Sequence, residues 1–174
     1  MKEQSRRISY LLRHNPEDLK MDKRGWVNVK ALLKKLDITQ EELDHIVETN
    51  NKKRFGYNND KSNIRAHQGH SAKLNLWIEH KEVFAPQNYY HGTSSVNVEN
   101  ILRKGLKPMN RAHVHLSKDV MTASMVGSRH GAKVTIFIVD GGRMKQDGHK
   151  IYESDNNVIL VDEVPKKYLR VWQD

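Results

Sequence analysis

The chain has 174 residues, 37% hydrophobic and 29% charged, which suits one soluble domain or two small ones, each able to bury a core. No run approaches the ~18 consecutive apolar residues of a membrane span, and the absence of cysteine excludes a disulfide framework or a thiolate zinc site. The 30 Lys and Arg outnumber the 21 Asp and Glu, and the formal charge of +9 favours a polyanionic partner such as nucleic acid. That charge is not gathered into a tail, so it belongs to folded elements. "MKEQSRRISYLL" lacks the apolar run and small-residue cleavage site of a signal peptide, so the cytoplasm is the expected location.

In chain order, "RRISYLLRH" predicts a helix with Ile8, Leu11 and Leu12 on one face, stopped by Pro16. "GWVNVKALLKKL" predicts a short apolar start and then a helix through Leu32, Leu33 and Leu36. "TQEELDHIVE" predicts a third helix, opened by Thr39 and Glu42 at the spacing of a capping box and striped by Leu43, Ile46 and Val47. "RFGY" and "NIRA" read as strands joined by the turn "NNDKS". Helices followed by a hairpin are the ingredients of a winged-helix module. The pattern changes around "EVFAPQN", where Pro86 marks a boundary between expected domains at 1–84 and 88–174. Beyond it lie the short strands "NYYH", "AHVHL", "KVTIFIV", "HKIYE" and "NVILVDEV". Two helices interrupt them: "SSVNVENILRKG", starting at a Ser cap and ending with Gly105 at C′, and "SKDVMTASMVG", starting at Ser117 and ending near Gly127. This alternation predicts an α+β lobe with a largely antiparallel sheet. Neither GxGxxG nor GxxxxGK[ST] occurs, which removes Rossmann and P-loop nucleotide sites.

In "RAHVHLS" a period of two sets Ala112, Val114 and Leu116 against Arg111, His113, His115 and Ser117. A solvated outer face would account for one such stretch. Three more segments resemble it: Arg13 and His14 in "LLRHNP", Arg65, His67, Gln68, His70 and Ser71 in "IRAHQGHS", and Arg129 and His130 in "GSRHG". Each has a plain reading alone, since a cation in a last helical turn complements the macrodipole and loop His and Arg are usually solvated. Their recurrence without carboxylates is less plain. A glycosidase needs a carboxylate pair and a serine hydrolase a Ser–His–Asp set. The spacings 113/115 and 67/70 could seed a zinc site, but no acid or Cys accompanies them. Arg and His together suit a multiply charged anion, because guanidinium forks match phosphate oxygens and imidazole moves protons.

In order, "ISYLLRHNP", "GWV", "KKRF", "IRAHQGHS", "YYHGTS", "GLKPMNRAHVHLS" and "VGSRHGAKV" closely resemble the RNA 2′-phosphotransferase family over about residues 5 to 172. Eukaryotic members of that family finish tRNA splicing. The resemblance implies an N-terminal winged-helix-like lobe, a C-terminal ADP-ribosyltransferase-like mixed-sheet lobe, and a cleft where RNA and NAD⁺ meet. It implies a reaction in which an internal RNA 2′-phosphate attacks C1″ of the nicotinamide ribose of NAD⁺ and expels nicotinamide. The ribose O2″ then attacks phosphorus, giving RNA with a 2′-OH and ADP-ribose 1″,2″-cyclic phosphate.

By motif, the resemblance assigns catalysis to Arg13, His14, Arg65 and Arg129. A triad of His, His and an apolar residue against NAD⁺ maps to His91, His115 and, as candidate, Val158. Asn156-Asn157 precedes Val158 where the family usually has Asn-Gly, and an Asn tolerates the left-handed backbone such a turn requires. Gly92, Thr93 and Ser117 are expected against the dinucleotide, and Gln68, His70, Ser71 and Arg111 against RNA or the phosphates. His113 is open between a supporting role and a solvent-facing one. No metal is implied, NAD⁺ is consumed as a co-substrate, and a monomer without membrane attachment is expected. Two other readings compete: an NAD⁺-dependent ADP-ribosyltransferase that caps RNA or DNA phosphate ends, and a winged-helix DNA-binding regulator with a ligand-sensing C-terminal lobe.

Overall fold

The structure, a computed structural model, describes residues 2–130 and 133–174, so Gly131 and Ala132 of "VGSRHGAKV" lie outside the described residues. The chain divides into two compact units, Met1–Glu79 and His80–Asp174.

The first unit begins with helix α1 (Lys2–Arg13), which buries Ile8, Leu11 and Leu12 as the spacing predicts. Strand β1 (Val27–Asn28) leads into α2 (Val29–Leu36), whose N-cap Asn28 accepts a hydrogen bond from the Ala31 N–H. Helix α3 (Gln40–Glu48) carries the expected capping box: Thr39 Oγ1 accepts from the Glu42 N–H at 3.2 Å, and the Glu42 carboxylate accepts from the Thr39 N–H at 2.8 Å. Two helical end groups are satisfied at once, which fixes where the helix starts. Strands β2 (Phe55–Tyr57) and β3 (Asn63–Ala66) form the predicted hairpin, and β1 adds to the other edge of β3, so the antiparallel order is β1-β3-β2. Ile64 and Ala66 are fully buried with Ile8, Leu12, Leu32, Leu43 and Phe55, which leaves Asn63 and Arg65 on the opposite face of the sheet.

The second unit holds two antiparallel sheets. Strands β5 (Asn88–Ser94), β7 (Val134–Asp140) and β10 (Leu169–Val171) lie in the order β10-β7-β5. Strands β4 (Lys81–Glu82), β6 (Val114–Leu116), β8 (Tyr152–Glu153) and β9 (Ile159–Val161) lie in the order β4-β8-β9-β6. A Tyr90–Ser117 bridge joins them, each backbone N–H donating to the other's carbonyl at 2.9 and 2.7 Å. Every strand pairing among the described residues is antiparallel, as the alternation of short strands predicts, whereas the family resemblance implied a mixed sheet. Helices α4 (Val98–Lys104), α5 (Val120–Gly127) and α6 (Gly141–Gln146) complete the unit around a core that includes Phe137, Val139, Met144, Ile159 and Val161.

Both expected Ser starts differ in the structure. A 3₁₀ turn, Ser95–Asn97, precedes α4, and neither Ser94 nor Asn97 makes a side-chain cap. Helix α5 is capped instead by Asp119, whose carboxylate accepts from the Thr122 N–H at 2.7 Å, because the backbone of Ser117 is held in the bridge to Tyr90. Gly105 ends α4 with φ 78.

Thr39→Ala removes one half of the capping box and is expected to cost about 1 kcal/mol. The urea midpoint should fall with an unchanged m-value; an unchanged midpoint would show that the cap contributes nothing net.

Candidate active site

In the first unit the chain comes off α1 at Arg13 and meets the segment after the hairpin. The Ser71 N–H donates to the Arg13 carbonyl at 2.7 Å, and Ser71 Oγ is hydrogen-bonded to His14 Nδ1 at 2.7 Å. Ser71 is thereby tied to Arg13 and His14, which lie 57 or more residues before it. The neighbouring His70 is 6% exposed. Its Nε2 packs on the loop before β1 and would lie 3.5 Å from a Cβ built on Gly25. Gly25 has φ 80, a conformation L side chains rarely adopt. Gln68 is buried, and its Oε1 accepts no hydrogen bond among the described residues. A buried acceptor without a donor is costly, so this oxygen is a place for a ligand or water donor.

Arg65 stands on β3 opposite Gly56. Its guanidinium carbon lies 4.4 Å from the centroid of the Trp26 ring, and Nη1 donates to the Arg24 carbonyl at 3.3 Å. Stacking on the indole holds the planar fork in one orientation. The Trp26 side of that stack is held in turn by Asp22, whose carboxylate accepts from the Arg24 and Trp26 N–H groups, both at 2.9 Å. The support that Trp26 gives Arg65 was not legible in the spacing of the Arg and His motifs. The signal for it was the strand register: Val27 opposes Ile64, so Trp26 falls beside Arg65 on the polar face.

In the second unit Val114 and Leu116 are buried while His113, His115 and Ser117 are half-buried, so the alternation in "RAHVHLS" holds from His113 onward. Arg111 and Ala112 precede the strand, yet Arg111 reaches back, its Nη1 lying 3.3 Å from His115 Nδ1. An arginine can only donate, so Nδ1 of His115 accepts. Burial and the neighbouring charge of Arg129 hold the Arg111 guanidinium below its ordinary pKa. Arg129 itself follows α5 in the 3₁₀ turn Ser128–His130.

His91 Nδ1 donates to the His115 carbonyl at 3.1 Å, and burial lowers its pKa below the ordinary histidine value. Val158 lies just before β9, next to β6, with Asn157 at φ 62 closing the turn in the left-handed conformation expected of it. His91 and His115 thus lie on neighbouring strands, and Val158 directly precedes β9, the partner of β6. Thr93 Oγ1 accepts from Asn97 Nδ2 at 3.1 Å, so that hydroxyl already has a partner. Gly92 has a packing reason to lack a side chain, since a Cβ there would sit 1.8 Å from the Ala123 carbonyl of α5. His113 packs edge-on against His80 with ring centroids 6.0 Å apart, and burial lowers its pKa. No group of three or more His, Cys, Asp or Glu among the described residues is placed to hold a metal ion, and no described helix is long and apolar enough to cross a membrane.

The same chain, compared with known proteins, matches the family model "RNA 2′-phosphotransferase, Tpt1 / KptA family" over residues 1–163. The chain belongs to this family. A protein of Flavobacterium johnsoniae named "Probable RNA 2′-phosphotransferase" is 49% identical over 173 residues, covering 95% of this chain and 93% of its own. The protein of the same name in Fusobacterium nucleatum is 46% identical over 170 residues and covers 94% of each chain. That of Agrobacterium fabrum is 44% identical over 177 residues, covering 98% and 94%. The match to RNA 2′-phosphotransferases therefore extends over both compact units.

Because the folded state holds His91 neutral, its stability contribution is present above the ordinary histidine pKa of about 6.5 and is lost as pH falls toward the lower folded pKa. His113 acts in the same direction. In an NMR titration the His91 ring should remain the Nδ1–H tautomer at neutral pH and protonate with a midpoint below 6.5; a midpoint above it would contradict the buried, neutral ring.

Proposed function

We propose that the chain removes an internal 2′-phosphate from RNA by transferring it to NAD⁺, with a winged-helix-like N-terminal lobe engaging RNA and an ADP-ribosyltransferase-like C-terminal lobe engaging the dinucleotide. Membership of the RNA 2′-phosphotransferase family supports the phosphate chemistry. The observation that carries the reading is Arg111, whose guanidinium is hydrogen-bonded to His115 and lies within the field of the Arg129 charge. Like charges near one another repel, and an anion of two or more charges turns that cost into binding. A pyrophosphate or a phosphate monoester is such an anion.

The residue types fit the two displacements. A phosphate monoester is already ionised near neutrality and needs no general base to attack C1″. Arg13, Arg65 and Arg129 orient it and then hold the charge that builds on phosphorus. The second displacement takes a proton from the ribose O2″ and gives one to the departing RNA 2′-oxygen. His14 suits that work, with its ring oriented by the Nδ1–Ser71 Oγ hydrogen bond. Gln68, His70 and Ser71 hold the phosphate or its flanking backbone. In the second unit, His91, Gly92, Thr93, His115, Ser117 and Val158 hold NAD⁺, with Arg111 near its phosphates. His91 donates to the His115 carbonyl and so fixes that strand beneath the dinucleotide. A phosphate nucleophile needs no activating carboxylate, in keeping with an apolar Val158.

The test uses an RNA oligonucleotide with one internal 2′-phosphate, incubated with and without NAD⁺. The expected products are 2′-OH RNA, nicotinamide and ADP-ribose 1″,2″-cyclic phosphate, formed only with NAD⁺. Accumulation of ADP-ribosylated RNA would favour end-capping or an arrested second step, and no NAD⁺ consumption would refute the reading. Arg65→Ala should lower the rate by roughly 10²- to 10³-fold, the loss seen when one preorganised charge-stabilising donor is removed.

A further inference from the structure

We propose that the pocket beside Trp26 is a nucleobase subsite, which receives the base of an RNA nucleotide flanking the one that carries the 2′-phosphate. The inference rests on the reading of Arg65 as a phosphate ligand. A surface pocket of about 490 Å³ opens next to the Arg65–Trp26 stack, within the ~300–1,000 Å³ usual for small-ligand sites. Trp26, Asn28, Asn58 and Asn63 line it, with Lys20 and Asp22 at its side.

Register explains why these residues meet. Asn28 opposes Asn63 across β1 and β3, and Trp26 and Arg65 lie two residues farther along on the same face. The first unit thus has an apolar side packed on its helices and a side made of an indole, a guanidinium and amides. The polar groups are not idle surface. Asn28 uses Oδ1 to cap α2 and keeps its Nδ2 donors for the pocket. Asn58 Oδ1 accepts from the Asn63 N–H at 2.9 Å, which holds both residues at the hairpin end. Asn63 Nδ2 donates to Ser62 Oγ at 3.1 Å, which leaves Oδ1 as an acceptor. An aromatic face flanked by amide donors and acceptors is what an unstacked base requires: a platform and partners for its edge. Arg65 bonded at once to the indole and to a phosphate would set the distance between base and phosphate. Occupancy by a nucleotide also suits the +9 charge, since the adjoining backbone phosphates are attracted wherever the base is seated.

The decisive measurement is equilibrium binding of short single-stranded RNAs with one 2′-phosphate, in which the base on either flank is replaced by an abasic ribose. For the wild-type chain, removing the base on one flank is expected to raise Kd about tenfold. For Trp26→Leu the same change should have no effect, because the platform has already gone. Trp26→Phe, which restores an aromatic face, should recover the dependence and also serves if the Leu variant folds poorly. Equal losses in the wild type and in Trp26→Leu, no loss in the wild type, or no RNA binding at all would overturn the subsite. Turnover with NAD⁺ in the same samples decides the other question separately. Base dependence without products would leave the subsite and refute the proposed reaction, while products without base dependence would do the reverse.

Discussion

The pairing of β6 with β9 is the constraint on which the C-terminal site depends. Val114 opposes Val161 and Leu116 opposes Ile159, and all four side chains are buried. Side chains alternate across a strand, so burying Val114 and Leu116 obliges His113, His115 and Ser117 to take the other face. A slip of one residue would exchange the two sets and place two imidazoles in an apolar core. The hydrophobic effect therefore acts as the clamp for polar chemistry: apolar residues choose the register, and the register positions the polar ones. Arg111 then completes the group from outside the strand, by its contact with His115.

The same logic operates in the first unit on a smaller sheet. Ile64 and Ala66 anchor β3 in the core, and Arg65 between them is turned toward Trp26. A guanidinium on a long flexible chain loses much freedom when it binds an anion. Here part of that loss is borne by the fold, through the indole and the Arg24 carbonyl. The junction at His14 and Ser71 works differently. It joins the end of a helix to a loop distant in sequence, and its geometry comes from one side-chain and one backbone hydrogen bond.

Features governed by neighbouring residues were legible in the sequence. The apolar stripes of α1 and α3, the capping box at Thr39, the β2–β3 hairpin and the alternation from His113 to Ser117 all depend on spacings of a few residues. The misreadings have local causes too. Ser94 and Ser117 look like caps, but Ser117 is held in a strand bridge and α4 starts through a 3₁₀ turn. Helix α6 was hidden by Gly141 and Gly142, which weaken helical propensity; Asp140 starts it by accepting from the Arg143 N–H at 2.9 Å. Strands β4 and β10 are only two and three residues long, too short for a pattern to show.

By itself the sequence determined the residue types and their faces: recurrent Arg and His without acids, a basic total charge, no cysteine and no membrane-spanning run. Those are properties of composition and of periods two and 3.6, which need no distant partner. Which of these residues touch was decided only by tertiary structure. His14 meets Ser71, His91 meets the His115 carbonyl, and Arg65 stacks on Trp26. Every one of these pairs is separated in the chain by more than a helical turn or a hairpin, so no local period encodes it. Core packing and strand register bring each pair together within its own unit.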